Sequence, residues 1–267
     1  MNITRTFAIV LRQFYLLRGS PARVLPLFAW VTIDILLWGF ITRYLSSVTS
    51  PGLSFVPSLL GAVLLWDFLV RVMHGVTTAF LEDVWSRNFL NIFATPLSLS
   101  EYIGGLVLTG AATSAFGLVA MLILASAVFG LQFFAYGLLL IPFLMLLFLF
   151  GIALGIVGSG IVLRLGPAAE WFIWPLPALL SPFACVFYPL STLPLWMQFV
   201  ARAIPPSYVF EAMRGIVAGH PASVGTLLAG SALSLLYIVL AGWFFSRIYG
   251  HAVRTGLIPR YSAESVS

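Results

Sequence analysis

Lysine is absent from this 267-residue chain, and all 13 basic residues are arginine. A nucleotide-binding Walker loop places a lysine on the phosphates, so ATP-driven work has to come from another polypeptide. Cysteine occurs once, at Cys185, which excludes an internal disulfide and a cysteine-based metal cluster. Charge of either sign is scarce: 8% of residues, against roughly a quarter in a soluble domain. Between Tyr102 and Leu163 there is no Asp, Glu, Lys or Arg. A membrane span needs ~20 apolar residues, so that run holds two helices and a turn. The first residues are amphipathic and arginine-bearing, unlike the short apolar core and small-residue cleavage site of a signal peptide.

What is present is apolar. The chain is 61% hydrophobic, with a mean hydropathy of +1.08, which defines an all-α polytopic membrane protein. The net charge of +5 is not a nucleic-acid footprint, because the arginines lie singly at the joints between apolar runs.

Residues 1–20 read as an interfacial helix lying flat, with Phe7, Val10, Leu11, Phe14 and Leu17 on one side and Arg5, Arg12 and Arg18 elsewhere. Gly19-Ser20-Pro21 breaks it. Six spans are expected, near 25–45, 55–81, 102–129, 136–163, 168–187 and 224–245. The joints between them are Thr49-Ser50-Pro51-Gly52, Gly130-Leu131-Gln132 and Arg164-Leu165-Gly166-Pro167. Gly151, Gly155 and Ser159, four apart in the fourth span, predict close helix approach. The fifth span is interrupted by Pro175, Pro177 and Pro182. Residues 188–221 are too apolar for an ordinary loop, and Leu193, Trp196, Met197, Val200 and Ile204 suggest short re-entrant helices, which need protein or water around them.

The polar break at 82–100 is the organising stretch. Trp85, Phe89, Ile92 and Phe93 recur at helical spacing, with Glu82, Asp83, Arg87 and Asn91 on other faces and Pro96 as the stop. This predicts a short amphipathic helix with its two carboxylates in the first turn, at the positive end of the dipole. An even number of spans puts both termini on one side. Arg5, Arg12, Arg18, Arg23, Arg87, Arg164, Arg247, Arg254 and Arg260 collect there, against Arg43, Arg202 and Arg214 opposite. Both termini and the break are therefore expected in the cytoplasm.

The run Phe187-Tyr188-Pro189, Leu193-Pro194-Leu195-Trp196, Pro205-Pro206-Ser207-Tyr208 and Glu211-Ala212-Met213-Arg214 resembles the signature before the last span of ABC type-2 transporter permeases. Thr95-Pro96-Leu97-Ser98 after the break is similar to the same family. The resemblance covers essentially the whole chain as a single transmembrane domain, 1–267. It implies a subunit of an ATP-driven exporter in a bacterial inner membrane, without an ATPase site of its own. Two such permeases pair, as a homodimer or heterodimer, and two copies of a separate ATPase subunit carry the ATP and Mg²⁺. Within 82–100, Glu82, Asp83, Trp85, Arg87, Phe89, Thr95 and Pro96 would form a coupling helix seated on that ATPase. Residues 188–221 would line an outer gate, with Phe187, Tyr188, Pro189, Pro194, Glu211 and Arg214. Cargo in the family ranges over drugs, peptides, polysaccharides and lipid-linked glycans.

Several residues carry two readings. Asp67, Arg71 and His74 share one face of the second span, and a charge there costs at least ~3 kcal/mol on insertion scales. They form either a self-neutralising ion pair, with Asp34 as a third partner, or a polar strip on the cargo path. Glu211 and Arg214, three apart, are either an exposed helix pair or part of the gate. Trp171, Phe172, Trp174, Phe183, Phe187 and Tyr188 are either interface anchors or a stacking surface for sugars.

Two other functions compete. Gly158-Ser159-Gly160 invites an intramembrane serine protease, yet the last span offers no histidine to activate the serine, and position 157 is valine. An ion- or proton-coupled carrier would use Asp34, Asp67 and His74, but the halves show no inverted repeat.

Overall fold

Proline and glycine placement sets where the helices begin and stop. The structure, a computed structural model, describes residues 2–48, 59–86, 88–131, 137–221 and 223–256, without the side chains of residues 22, 23, 26, 27, 89, 90 and 167. The expected turn Thr49-Ser50-Pro51-Gly52, the start of the second span at Phe55, and Arg87, Gln132, Tyr136 and Arg260 lie outside the described residues. Helix α1 is Ile3–Arg18, closed by Gly19, and α2 is Pro21–Val48, with proline in its first turn, where no backbone donor is needed. Helix α3 is Gly61–Trp85, α4 is Phe89–Phe93 and α5 is Leu99–Phe129, which ends at Gly130 in the left-handed conformation at φ 65°. Helix α6 is Leu140–Leu165, and α11 is Val224–Arg254. Among the described residues there is no strand.

Five helices are long and apolar enough to cross a membrane: Phe28–Val48 within α2, then α3, α5, Gly137–Leu165 around α6, and α11. That is the architecture of a multi-pass helical membrane protein. The stretch 168–187 is not one of them. It forms a 3-10 turn at Pro167–Ala169, α7 at Glu170–Ile173, α8 at Leu176–Leu180 and turns over 181–185. Pro175, Pro177 and Pro182 each remove a backbone donor and crowd the preceding turn, so a continuous helix does not propagate. Beyond it lie a 3-10 turn at Leu190–Thr192, α9 at Leu195–Arg202 and α10 at Pro205–Val217.

Packing fixes the directions. A Cβ on Gly151 would meet Val72 at 2.9 Å, one on Gly155 would meet Val76 at 2.8 Å, and one on Gly158 would meet Thr77 at 2.9 Å. So α3 and α6 run parallel, in contact along a seam of small residues, as the spacing predicted. Thr77 crosses the seam by donating to the Gly155 carbonyl at 3.1 Å. Gly160 faces Phe244 and Ile248, while Gly230 faces Leu146, so α11 is parallel to α6 as well. Helix α5 opposes α3, with Gly110 against Gly75 and Gly117 against Arg71. Phe28 on Phe116 and Phe40 on Phe129 set α2 alongside α5.

Because α6 and α11 point the same way, residues 166–223 have to carry the chain back along the bundle. They do so against its side: Ile173 lies by Gly158, Trp174 by His74, and Phe187 by Trp38. The last long helix also differs from expectation. It does not stop at Arg247 but runs to Arg254, with the Arg247 guanidinium 5.4 Å from the Trp243 ring centre. At 31 residues it is ~46 Å long, well over the ~30 Å hydrocarbon core.

Candidate functional site

The break between the second and third long helices is built differently from the sequence expectation. Nothing in residues 76–85 stops a helix, so α3 continues through Glu82, Asp83 and Trp85 and the chain turns only at Ser86. The amphipathic helix shrinks to α4, five residues. Glu82 and Asp83 therefore occupy the last turn of a helix, at the negative end of its dipole, rather than a first turn. A carboxylate there needs compensation, and Asp83, fully buried, receives it. Arg12 Nη2 of α1 donates to Asp83 Oδ1 at 2.5 Å, and the Tyr102 hydroxyl of α5 donates to Oδ2 at 2.7 Å. Asp83 is a tie between three helices, not an exposed coupling side chain.

A second tie lies at the start of α1. Asn2 caps it by accepting from Thr4 N at 3.0 Å. Glu101 accepts from Asn2 N at 2.6 Å and from Ser98 N at 2.9 Å, while Ser98 Oγ accepts from Glu101 N at 3.3 Å. This capping box starts α5 and holds the N-terminus of α1 with the same carboxylate. Arg5 sits 3.8 Å from Glu101 and donates to the Pro96 carbonyl. Between these polar ties, Ile9 presses on Gly105, where a Cβ would come within 2.6 Å. Phe93 of α4 lies between Tyr102 and Tyr249, with ring centres 5.3 and 5.4 Å away.

The result is a single platform at one end of the bundle. A groove of about 420 Å³ runs across it, lined by Arg5, Ile9, Arg12, Asn91, Ile92 and Pro96, among others. Thr95 and Pro96 are exposed and line it, and Trp85, at the end of α3, is exposed. Glu82 is half-buried. Arg87 is outside the described residues, and so is the side chain of Phe89. On α1, the groove-lining Arg5, Ala8 and Arg12 lie across the helix from the exposed apolar Ile3, Phe7, Leu11 and Phe14, given about 100° per residue.

A polar cluster sits inside the helix bundle. Arg71 Nε donates to Asp67 Oδ2 at 3.0 Å, one turn apart on α3, and the Arg71 stem lies against Gly117. Asp34 of α2 is within electrostatic reach of both. The His74 ring centre is 4.4 Å from that of Trp174, and its buried Nε2 has no hydrogen-bond partner. All four residues that the sequence singled out are thus gathered, from α2 and α3, beside the connection through α7. Ser159 is buried and donates to the Gly155 carbonyl at 2.8 Å, a back-bond within its own helix.

At the opposite end, the reversal over 183–190 gathers the remaining predicted residues. Phe187 stacks on Trp38, ring centres 5.2 Å apart and planes 17° off parallel. The Tyr188 hydroxyl donates to the Pro182 carbonyl at 2.8 Å. Pro189 and Pro194 precede the 3-10 turn and α9, and their carbonyls accept from Thr192 and Met197. Glu211 Oε1 accepts from Leu190 N and from Arg214 Nη2, both at 2.8 Å. Trp171 and Phe172 point away from the bundle, 82% and 69% exposed.

Sequence reasoning missed Arg12, Tyr102 and Glu101 as partners of the break. Ser98 followed three residues later by Glu101 is a legible capping-box signal. No local signal pairs Arg12 with Asp83. No protein-family model matches the chain, and no curated protein matches it.

Proposed function

We propose that this chain is the permease subunit of an ATP-driven exporter of the ABC type-2 kind, moved by a separate ATPase. In this reading the chain has six spans, the fifth being the proline-broken return over 168–187. Helix α1 lies in the membrane interface with Ile3, Phe7, Leu11 and Phe14 toward lipid, which leaves the groove side facing the cytoplasm. Residues 188–221 form the re-entrant outer gate, and both termini are cytoplasmic. Two permeases pair around a path for an amphiphilic cargo, and two ATPase subunits bind ATP and Mg²⁺ below them.

The observation that supports it most is the platform: polar ties join α1, the end of α3 and the start of α5, and α4 packs on them through Phe93, giving one body with an exposed groove. Force delivered to 82–96 reaches three helices together through Arg12, Asp83 and Tyr102. Closure of the ATPase subunits pushes there, and the first, second and fifth spans shift to open the path. No residue of this chain is catalytic.

The test is co-purification from native membranes. The chain should bring down an ATP-binding subunit in equal numbers, and Arg87→Glu with Phe89→Ala should cut its recovery about tenfold or more, the effect of losing ~1.4 kcal/mol of binding. Unchanged recovery would remove the coupling role. A second reading, a proton-coupled carrier, draws on Asp34, Asp67 and the unpartnered His74 nitrogen. Transport by the purified chain without ATP would favour it.

A further inference from the structure

The reversal over 183–190 has a backbone conformation its own residues disfavour. Cys185 has φ 59°, in the left-handed region where an L side chain crowds the following carbonyl. Such a residue persists only when its surroundings over-determine it. Here the surroundings are two side chains of α10. Arg214 donates from Nη2 to the Cys185 carbonyl at 2.5 Å and from Nη1 to the Val186 carbonyl at 3.2 Å. Glu211 receives the same guanidinium and, across the reversal, the backbone N–H of Leu190. Both arms of the reversal are therefore gripped from one helical turn. Arg214 Nε is buried without a partner, so the guanidinium is placed by what it grips rather than by filling its own donors. Cys185 itself is fully buried.

We infer that Glu211 and Arg214 form a latch that holds this reversal strained and shut. Three hydrogen bonds cross from α10 to the reversal, and they come from one guanidinium and one carboxylate that are themselves paired within α10, so they part together when α10 moves against residues 183–190. Cys185 then relaxes out of the left-handed region and its thiol becomes exposed. The bond set gives the reversal two discrete states rather than a gradual bend. The latch's use in transport rests on the outer-gate reading above, whereas its geometry does not.

The chain carries its own reporter, because Cys185 is its single cysteine. Full-length protein with its partner in lipid nanodiscs, where both faces are open to solvent, is treated with a sulfonated maleimide, and the rate of Cys185 labelling is followed. Arg214→Lys keeps the charge but cannot span two carbonyls and a carboxylate with one ammonium. Labelling should rise about tenfold or more, as opening becomes easier by that factor. A rate equal to wild type overturns the latch. Should Arg214→Lys fold poorly, Cys185→Gly is compared with Cys185→Ala in the otherwise wild-type chain, since both lose the buried thiol but only glycine takes φ 59° without strain. The glycine variant then melts higher than the alanine variant, whereas an equal or lower melting temperature shows that no strain was stored and overturns the latch. Labelling of the wild type with and without ATP turnover tests the gate separately. An Arg214→Lys effect with no response to ATP upholds the latch and removes the gate.

Discussion

The two ends of the bundle both use an arginine and a carboxylate, and they use them to opposite effect. At the platform, Arg12, Asp83 and Tyr102 join side chain to side chain across three regular helices, and Asp83 is wholly out of solvent. At the reversal, Arg214 and Glu211 sit on one helix and hold backbone groups of an irregular segment, and it is the carboxylate that differs in burial, Glu211 being 35% exposed where Asp83 is not exposed at all. Breaking the first leaves a buried charge among packed helices. Breaking the second frees a turn whose relaxed form is closer to its preferred backbone. In the function we propose, one end transmits displacement and the other yields to it.

That contrast can be broken by substitution. Arg12→Ala should be the most damaging change, since it leaves the fully buried Asp83 carboxylate without its charge partner and with the Tyr102 hydroxyl still donating to it. Loss of one partner from a buried pair costs about 3–5 kcal/mol, which would read as loss of folded protein or a large fall in melting temperature in detergent. Glu211→Gln should be mild, because an amide oxygen still accepts from Leu190 and Arg214 and the pair is partly solvated. About 0.5 kcal/mol, barely visible in the melting temperature, is expected. Equal losses at the two sites would erase the distinction between a rigid end and a yielding one.

The apolar architecture was open to reading from the sequence because it depends on local runs. Long apolar stretches with few charges became α2, α3, α5, α6 and α11, and the four-residue glycine spacing of Gly151 and Gly155 became the α3–α6 seam. The proline count in 168–187 foretold interruption, though not that α7 and α8 would be single turns. The platform was less legible, for a physical reason. Whether Asp83 faces water or protein depends on Arg12 and Tyr102, residues far away in sequence that periodicity cannot place beside it. No breaker separates Glu82 from the second span, so α3 absorbed the carboxylates and Trp85, and only Phe89–Phe93 was left as α4. The polar cluster fared better, because Asp67 and Arg71 are one turn apart on a helix whose period was already fixed.

Side of the membrane is the point on which the proposed force path stands. A single cysteine at Asn91, in a Cys185→Ser chain, can be probed with a sulfonated maleimide in intact cells and in inside-out vesicles. The account predicts labelling only in the inside-out vesicles, with a cysteine at Thr192 labelled only in intact cells. Labelling of position 91 from outside, or from neither side, would contradict it.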